Sequence, residues 1–169
     1  MKIIRSARGF SPKIDSTVFI AENAAIIGDV EISERSSVWY NVTIRGDVMP
    51  IRIGKETNIQ DNTVIHGTFG EHGCTIGDRV TIGHSVVLHG CEIRDLSLIG
   101  MGSIIMDGAV IGEQSLVGAG SLVTPGKKFP PKSLIVGRPA VLKRPLTEEE
   151  VASLSESADH YLMYAKWYE

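Results

Sequence analysis

Aliphatic residues recur at every sixth position along most of this chain, and that period excludes most ways of folding it. The series runs Ile14, Ile20, Ile26, Ile32, Val38 and Ile44. It slips and resumes at Ile53, Ile59 and Ile65, then slips again to Ile76, Ile82 and Leu88. It continues through Ile93, Ile99, Ile105, Ile111, Val117 and Val123. An amphipathic helix drifts off such a pattern within two turns, and plain strand alternation does not single out one position in each group. A unit of short strand plus corner does fit, with three units making one triangular coil. The aliphatic side chain fills the prism. Small residues two places earlier, such as Ala24, Ser36, Ser97, Ser103, Ala109, Ser115 and Ser121, take the narrower inward position. Stacked coils pair their backbones about 4.8 Å apart. The expected fold is all-β, a left-handed parallel β-helix of hexapeptide repeats. A β-sandwich would need irregular loop spacing and more alternation of polar faces.

The repeat ends after Val123. Thr124-Pro125-Gly126, Phe129-Pro130-Pro131 and Gly137-Arg138-Pro139 read as the chain leaving the prism. Thr147 with Glu150 forms a capping-box signature, and Val151, Leu154, Ala158, Tyr161, Leu162 and Ala165 follow at helical spacing. Residues 1–143 are therefore read as the β-helix domain with its exit segment. Residues 144–169 are read as a C-terminal α-helix packed on its outside.

A chain of 169 residues suits one well-buried domain. Its net charge of −3 comes with scattered basic residues, which argues against a nucleic-acid partner. Met1 to Phe10 reads as neither a secretory signal nor a membrane span. Two cysteines make no disulfide framework and point to a reducing, cytoplasmic setting. Cys74 and Cys91 each precede an inward aliphatic residue by two positions and should stack as small core residues.

Of the five histidines, three (His66, His84 and His89) fall in one run of repeats. Grouping the inward residues as Ile44, Ile53, Ile59, then Ile65, an irregular unit near Gly70, Ile76, then Ile82, Leu88, Ile93 puts Arg45, His66 and His84 at one corner. The same count puts His89 at the second corner, and Gln60 and Asp61 at the third. Two histidines one coil apart can reach a single metal with Zn–N distances of about 2.0–2.1 Å. The corners themselves are well over about 10 Å apart, so a three-histidine site would have to be assembled between subunits, as in a threefold homotrimer. His72 and His160 are left as surface or helix residues.

Ile44-Arg45-Gly46-Asp47, Asn58-Ile59-Gln60-Asp61, His66-Gly67-Thr68 and Ile82-Gly83-His84 through Leu88-His89-Gly90-Cys91 together resemble the γ-class carbonic anhydrases. The resemblance covers nearly the whole chain. It implies a homotrimer in which each metal, zinc or in some members iron or cobalt, is shared between two subunits. The implied ligands are His66, His84 and His89. It implies that Arg45 pairs with Asp61 of a neighbour and that Gln60 orients the metal-bound water or bicarbonate. Asn58 and Tyr161 match residues lining the same pocket. The implied reaction is reversible hydration of carbon dioxide to bicarbonate, for which a three-histidine zinc with an open fourth position is suited.

The sequence also departs from the best-studied type of that family. Asp47 is followed by Val48-Met49-Pro50 where that type has a glutamate, and the segment Gly67 to Gly83 lacks the long acidic loop with a proton-shuttle glutamate. Weak turnover is therefore expected, with Glu71 or His72 as candidate replacements for the shuttle. Two other readings compete: a CoA-dependent acyltransferase of the same fold, with His72 as its histidine, and a metal-holding trimer with little or no activity.

Overall fold

In the computed structural model, which describes residues 2–168, the chain winds into a three-sided parallel β-solenoid. Face 1 stacks Ile3–Arg5, the first part of Ala25–Ile32, the first part of Thr43–Ile53, Val64–His66, Val87–His89, Ile104–Ile105 and Leu122–Val123. Face 2 stacks Lys13–Ile14, the second parts of the same two long strands, Cys74–Ile76, Glu92–Ile93, Val110–Ile111 and Lys128–Phe129. Face 3 runs from Phe19–Ile20 through Ser37–Val38, Asn58–Ile59, Thr81–Ile82, Leu98–Ile99 and Leu116–Val117 to Ser133–Gly137. An antiparallel strand, Ala140–Pro145, closes it. This is the left-handed hexapeptide β-helix that the period of the sequence predicts.

The core is three columns of side chains. Ile26, Ile44, Ile65, Leu88, Ile105 and Val123 lie in register on face 1. Ile32, Ile53, Ile76, Ile93, Ile111 and Phe129 do so on face 2, and Val38, Ile59, Ile82, Ile99, Val117 and Ile135 on face 3. Each of these side chains is buried. The small inward residues also carry hydrogen bonds: Ser97 Oγ donates to the Gly112 carbonyl at 3.0 Å and accepts from the Ser115 amide at 3.3 Å. Corners need the left-handed backbone region, where Asn41 and Asn62 sit at φ 58° and 62°. Cys74 and Cys91 are both buried, and the pairing of Thr75 with Glu92 stacks the rungs that carry them.

The coil count made from the sequence needs one correction. No rung exists near Gly70. Gly67 to Gly73 is a loop pinched by a bridge between Thr68 and His72, with Phe69 and Gly70 exposed at its tip. The coils are therefore Ile65, Ile76, Ile82 and then Leu88, Ile93, Ile99. All three slips in the period, between Ile44 and Ile53, Ile65 and Ile76, and Leu88 and Ile93, fall at the corner joining faces 1 and 2.

The C-terminal helix spans Glu148–Ala165. Thr147 caps it, accepting from the Glu150 amide while the Glu150 carboxylate accepts from the Thr147 amide, as the capping box predicts. Leu154 and Ala158 bury its inner side against Ser37–Val38 and Thr81–Ile82 of face 3. Arg79 fastens it further, donating to Glu56 at 2.6 Å, to Asp159 at 2.8 Å and to Ser155 Oγ at 2.8 Å. Glu56 is 9% exposed and also pairs with Arg35, so a buried carboxylate is neutralised by two guanidiniums.

Candidate metal centre

The corrected coils regroup the polar residues into two clusters at the two edges of face 1. The corner between faces 1 and 2 carries Arg45, Asp47, His66 and His89. His66 and His89 pair directly across adjacent strands, with ring centroids 5.4 Å apart. The expectation that His84 shares a corner with His66 is overturned. The partner of His66 is His89, because the loop after Ile65 adds residues without adding a rung.

The corner between faces 3 and 1 carries His84, Asp61 and Gln60. Ile59 and Ile82 are in register, which brings His84 beside Asp61, with Nδ1 to Oδ2 at 2.9 Å. Asn58 and Gln60 lie just before this corner and are buried. The Gln60 amide donates to Asn58 Oδ1 at 3.0 Å, and the Asn58 amide donates to Thr81 Oγ1 at 3.0 Å. That chain of donors leaves Gln60 Oε1 as the free end of the amide. From the helix, Tyr161 lines a cleft with Asp61, Trp39, Tyr40 and Tyr164. Burial and the nearby Asp61 charge push the Tyr161 hydroxyl up to about 12, so it stays protonated.

The first cluster is dense in charge. Asp47 accepts from Arg45 at 2.5 Å and lies 3.0 Å from His66 Nε2. Desolvation pushes the Asp47 carboxyl up, but hydrogen bonds from Arg45 and His66 outweigh it and hold the group below its ordinary value. His89 Nδ1 lies 2.9 Å from Asp107 Oδ1, and Thr68 Oγ1 donates to Asp107 Oδ2 at 3.1 Å. Asp107 is absent from the residues singled out in the sequence, and Thr68 stands there only within the His66-Gly67-Thr68 motif, with no role of its own. The available signal was position: Asp107 follows the inward Ile105 one coil beyond Leu88.

Glu71 is exposed, and His72 turns toward the glycines of face 2, where a Cβ on Gly108 would meet its ring at 3.5 Å. The structure does not bring either residue into the two clusters. Among the described residues of one chain, no three His, Cys, Asp or Glu side chains are placed to share an ion. The donor set nonetheless fits a metal divided between chains. One edge offers two adjacent imidazoles. The other offers a third, 46% exposed, whose Nδ1 is held by a carboxylate so that Nε2 faces outward.

No protein-family model matches the chain. Two solved structures share the fold closely. One is a hexapeptide transferase family protein from Anaplasma phagocytophilum, with a TM-score of 0.94 and 47% identity, covering 99% of this chain and 98% of that one. The other is a putative acetyltransferase from Bacillus cereus, with a TM-score of 0.96 and 45% identity, covering 99% and 96%. A probable carbonic anhydrase of Methanocaldococcus jannaschii is 57% identical over 88% of this chain and 93% of its own length. The γ carbonic anhydrase 2 of Arabidopsis thaliana mitochondria is 44% identical over 92% of this chain, which spans 58% of that longer relative. The fold defines a hexapeptide-repeat protein, and with these relatives the chain belongs to the γ-class carbonic anhydrase family.

Proposed function

We propose that three copies of the chain assemble around a threefold axis with face 1 inward, and that each of the three seams holds a metal used to hydrate carbon dioxide reversibly to bicarbonate. The observation that carries this is the placement of the two half-sites on opposite edges of one face. When three such faces close a triangle, the His66–His89 edge of each chain meets the His84 edge of the next. The contact is heterologous and closes after three steps. The outward row of face 1 supports the orientation. It presents Val64, Val87, Ile104 and Leu122, with Val64 41% exposed. Face 2 instead presents Lys13, Glu31, Arg52 and Glu92, and the helix lies on face 3.

His66 and His89 of one chain and His84 of the next would hold the ion: zinc by the chemistry of three imidazoles, with iron or cobalt the alternatives. A three-histidine zinc with an open position supplies hydroxide at neutral pH by lowering the pKa of water to about 7, carbonic anhydrase itself being the type case. The chain's own groups do the rest. Gln60 Oε1, with its amide fixed by Asn58, would accept a hydrogen bond from the attacking water or hydroxide and so turn its lone pair toward the substrate carbon. Tyr161 stays protonated and walls the pocket from the helix side. Arg45 and Asp61 lie on opposite edges of face 1, so the ion pair expected between them can form only across the seam.

The test is metal content of protein purified without added metal or oxygen, sedimentation, and stopped-flow carbon dioxide hydration on the same sample. About one metal per chain, a trimer and measurable hydration are expected. A metal-binding monomer would overturn the shared site. A second reading, acyl transfer, is favoured by the transferase descriptions of the two solved neighbours. It predicts CoA-thioester turnover by metal-free protein, with His72 required.

A further inference from the structure

The carboxylate of Asp107 uses both of its oxygens, and each holds a different part of the first half-site. Oδ1 lies 2.9 Å from His89 Nδ1. Oδ2 accepts from Thr68 Oγ1 at 3.1 Å, and Thr68 anchors the loop that begins directly after His66: its amide donates to the His72 carbonyl at 2.9 Å and its carbonyl accepts from the Glu71 and His72 amides. The cradle is tight. Gly90 sits at φ 60°, and a Cβ there would stand 2.0 Å from Asp107 Oδ1, so the carboxylate fills space that only glycine leaves open.

We propose that Asp107 is a positioning residue of the metal centre, fixing His89 as the Nδ1–H tautomer and, through Thr68, clamping the loop that follows His66. The proposal rests on the reading of His66 and His89 as ligands. A carboxylate can only accept, so His89 must donate from Nδ1, and its Nε2 lone pair is then left for an ion. A carboxylate behind a ligating imidazole also raises its basicity and locks its ring. Asp61 offers His84 the same contact at the other edge, and Asp47 meets His66 at Nε2. Among these three carboxylates, Asp107 is the one that also reaches the loop between the two stacked histidine strands. It therefore couples the aim of His89 to the conformation of the segment leaving His66.

The residue can be changed without removing its backbone from the solenoid, because the Asp107 carbonyl accepts from the Gly126 amide at 2.8 Å whatever its side chain. The first measurement uses metal-free protein: imidazole-nitrogen NMR should show His89 held as Nδ1–H in the parent and released to a tautomer mixture in Asp107→Ala. The second is zinc affinity by competition with a chelator. Asp107→Ala should weaken it about 10–100-fold, with an altered visible spectrum of the cobalt-loaded form. Asp107→Glu, which restores a carboxylate, should recover part of the loss, and Thr68→Val should lose less than Asp107→Ala. Asp107→Ala with parental tautomer, affinity and spectrum overturns the proposal. A parent protein that takes up no metal overturns the metal-centre reading, and the proposal with it. The NMR result keeps that failure distinct from a failure of the Asp107 clamp.

Discussion

The half of the solenoid beyond Ile93 and the half before it are built on the same repeat but treat one corner differently. Beyond Ile93 the inward residues fall in step through Ile99, Ile105, Ile111, Val117 and Val123, and the turns between them are tight. Before it, the corner between faces 1 and 2 departs from the repeat on three successive coils. Those departures carry Asp47, the Gly67–Gly73 loop with Thr68, and the left-handed Gly90 beside His89. The regular half shows what the repeat needs in order to stack. The irregular corner shows what was added to it: Asp47 meets His66, and Thr68 reaches His89 through Asp107. Repeat consistency supplies stability, and its local violation shapes the His66–His89 edge, whereas the His84–Asp61 edge lies on unbroken repeats.

The strongest way to break that comparison is to exchange half-sites between chains. His66→Ala, His84→Ala or His89→Ala alone should each abolish most metal occupancy while the solenoid melts normally. Equal mixtures of His66→Ala and His84→Ala chains should regain about a quarter of the sites, since random assembly pairs an intact edge with an intact edge that often. Mixtures of His66→Ala with His89→Ala should regain none, because both ligands lie on one edge. Metal recovery in the second mixture would show that the two stacked histidines do not serve a single ion.

This pairing is also where sequence and structure part. The columns of the core were legible because burial in a narrow prism allows an aliphatic residue at one place in six and penalises anything else. The helix was legible because Thr147 and Glu150 have a local partner in each other. The three candidate ligand histidines stand out in the sequence as a set, but their geometry does not. The gap from Ile65 to Ile76 is long enough to read as a rung or as a loop, and residue counting alone does not choose. What chooses is the Thr68–His72 pinch and the match of Ile51-Arg52-Ile53 with Cys74-Thr75-Ile76, a pairing between positions far apart in the chain. Asp107 was missed for the same reason: its importance lies one coil away from the residue it holds.

The next largest effect sharpens the other side of the comparison. Ile99→Ala, in the regular half and fully buried, should cost about 2–5 kcal/mol of stability through lost burial and the cavity left behind. Denaturant unfolding would measure it, and metal per folded chain should not change. A proportional loss of metal would mean that the two halves are not separable. Asp61→Ala should cost less, about 1.5–3 kcal/mol, as the loss of hydrogen bonds to a charged group. It should show as trimer dissociation at low protein concentration together with weaker metal binding, because Asp61 holds His84 and faces the seam of the proposed trimer.

The smallest effect concerns Tyr161, on the wall that the helix adds to the His84 edge. Its hydroxyl is pushed up to about 12, by burial first and by Asp61 second. The folded form therefore keeps its proton above the pH at which an unfolded tyrosine, near 10, gives it up. That contribution to stability is fully present below about pH 10 and is lost as pH rises from there through about 12. Tyr161→Phe should remove this late-titrating phenol from an ultraviolet titration and flatten the loss of stability over the same interval, leaving neutral-pH stability nearly unchanged. Tyr40, also raised by burial, gives the internal control, since its titration should persist in the variant. If Tyr161→Phe leaves the alkaline titration as it was, the helix does not seal the pocket beside Asp61, and the His84 edge is open to water from that side.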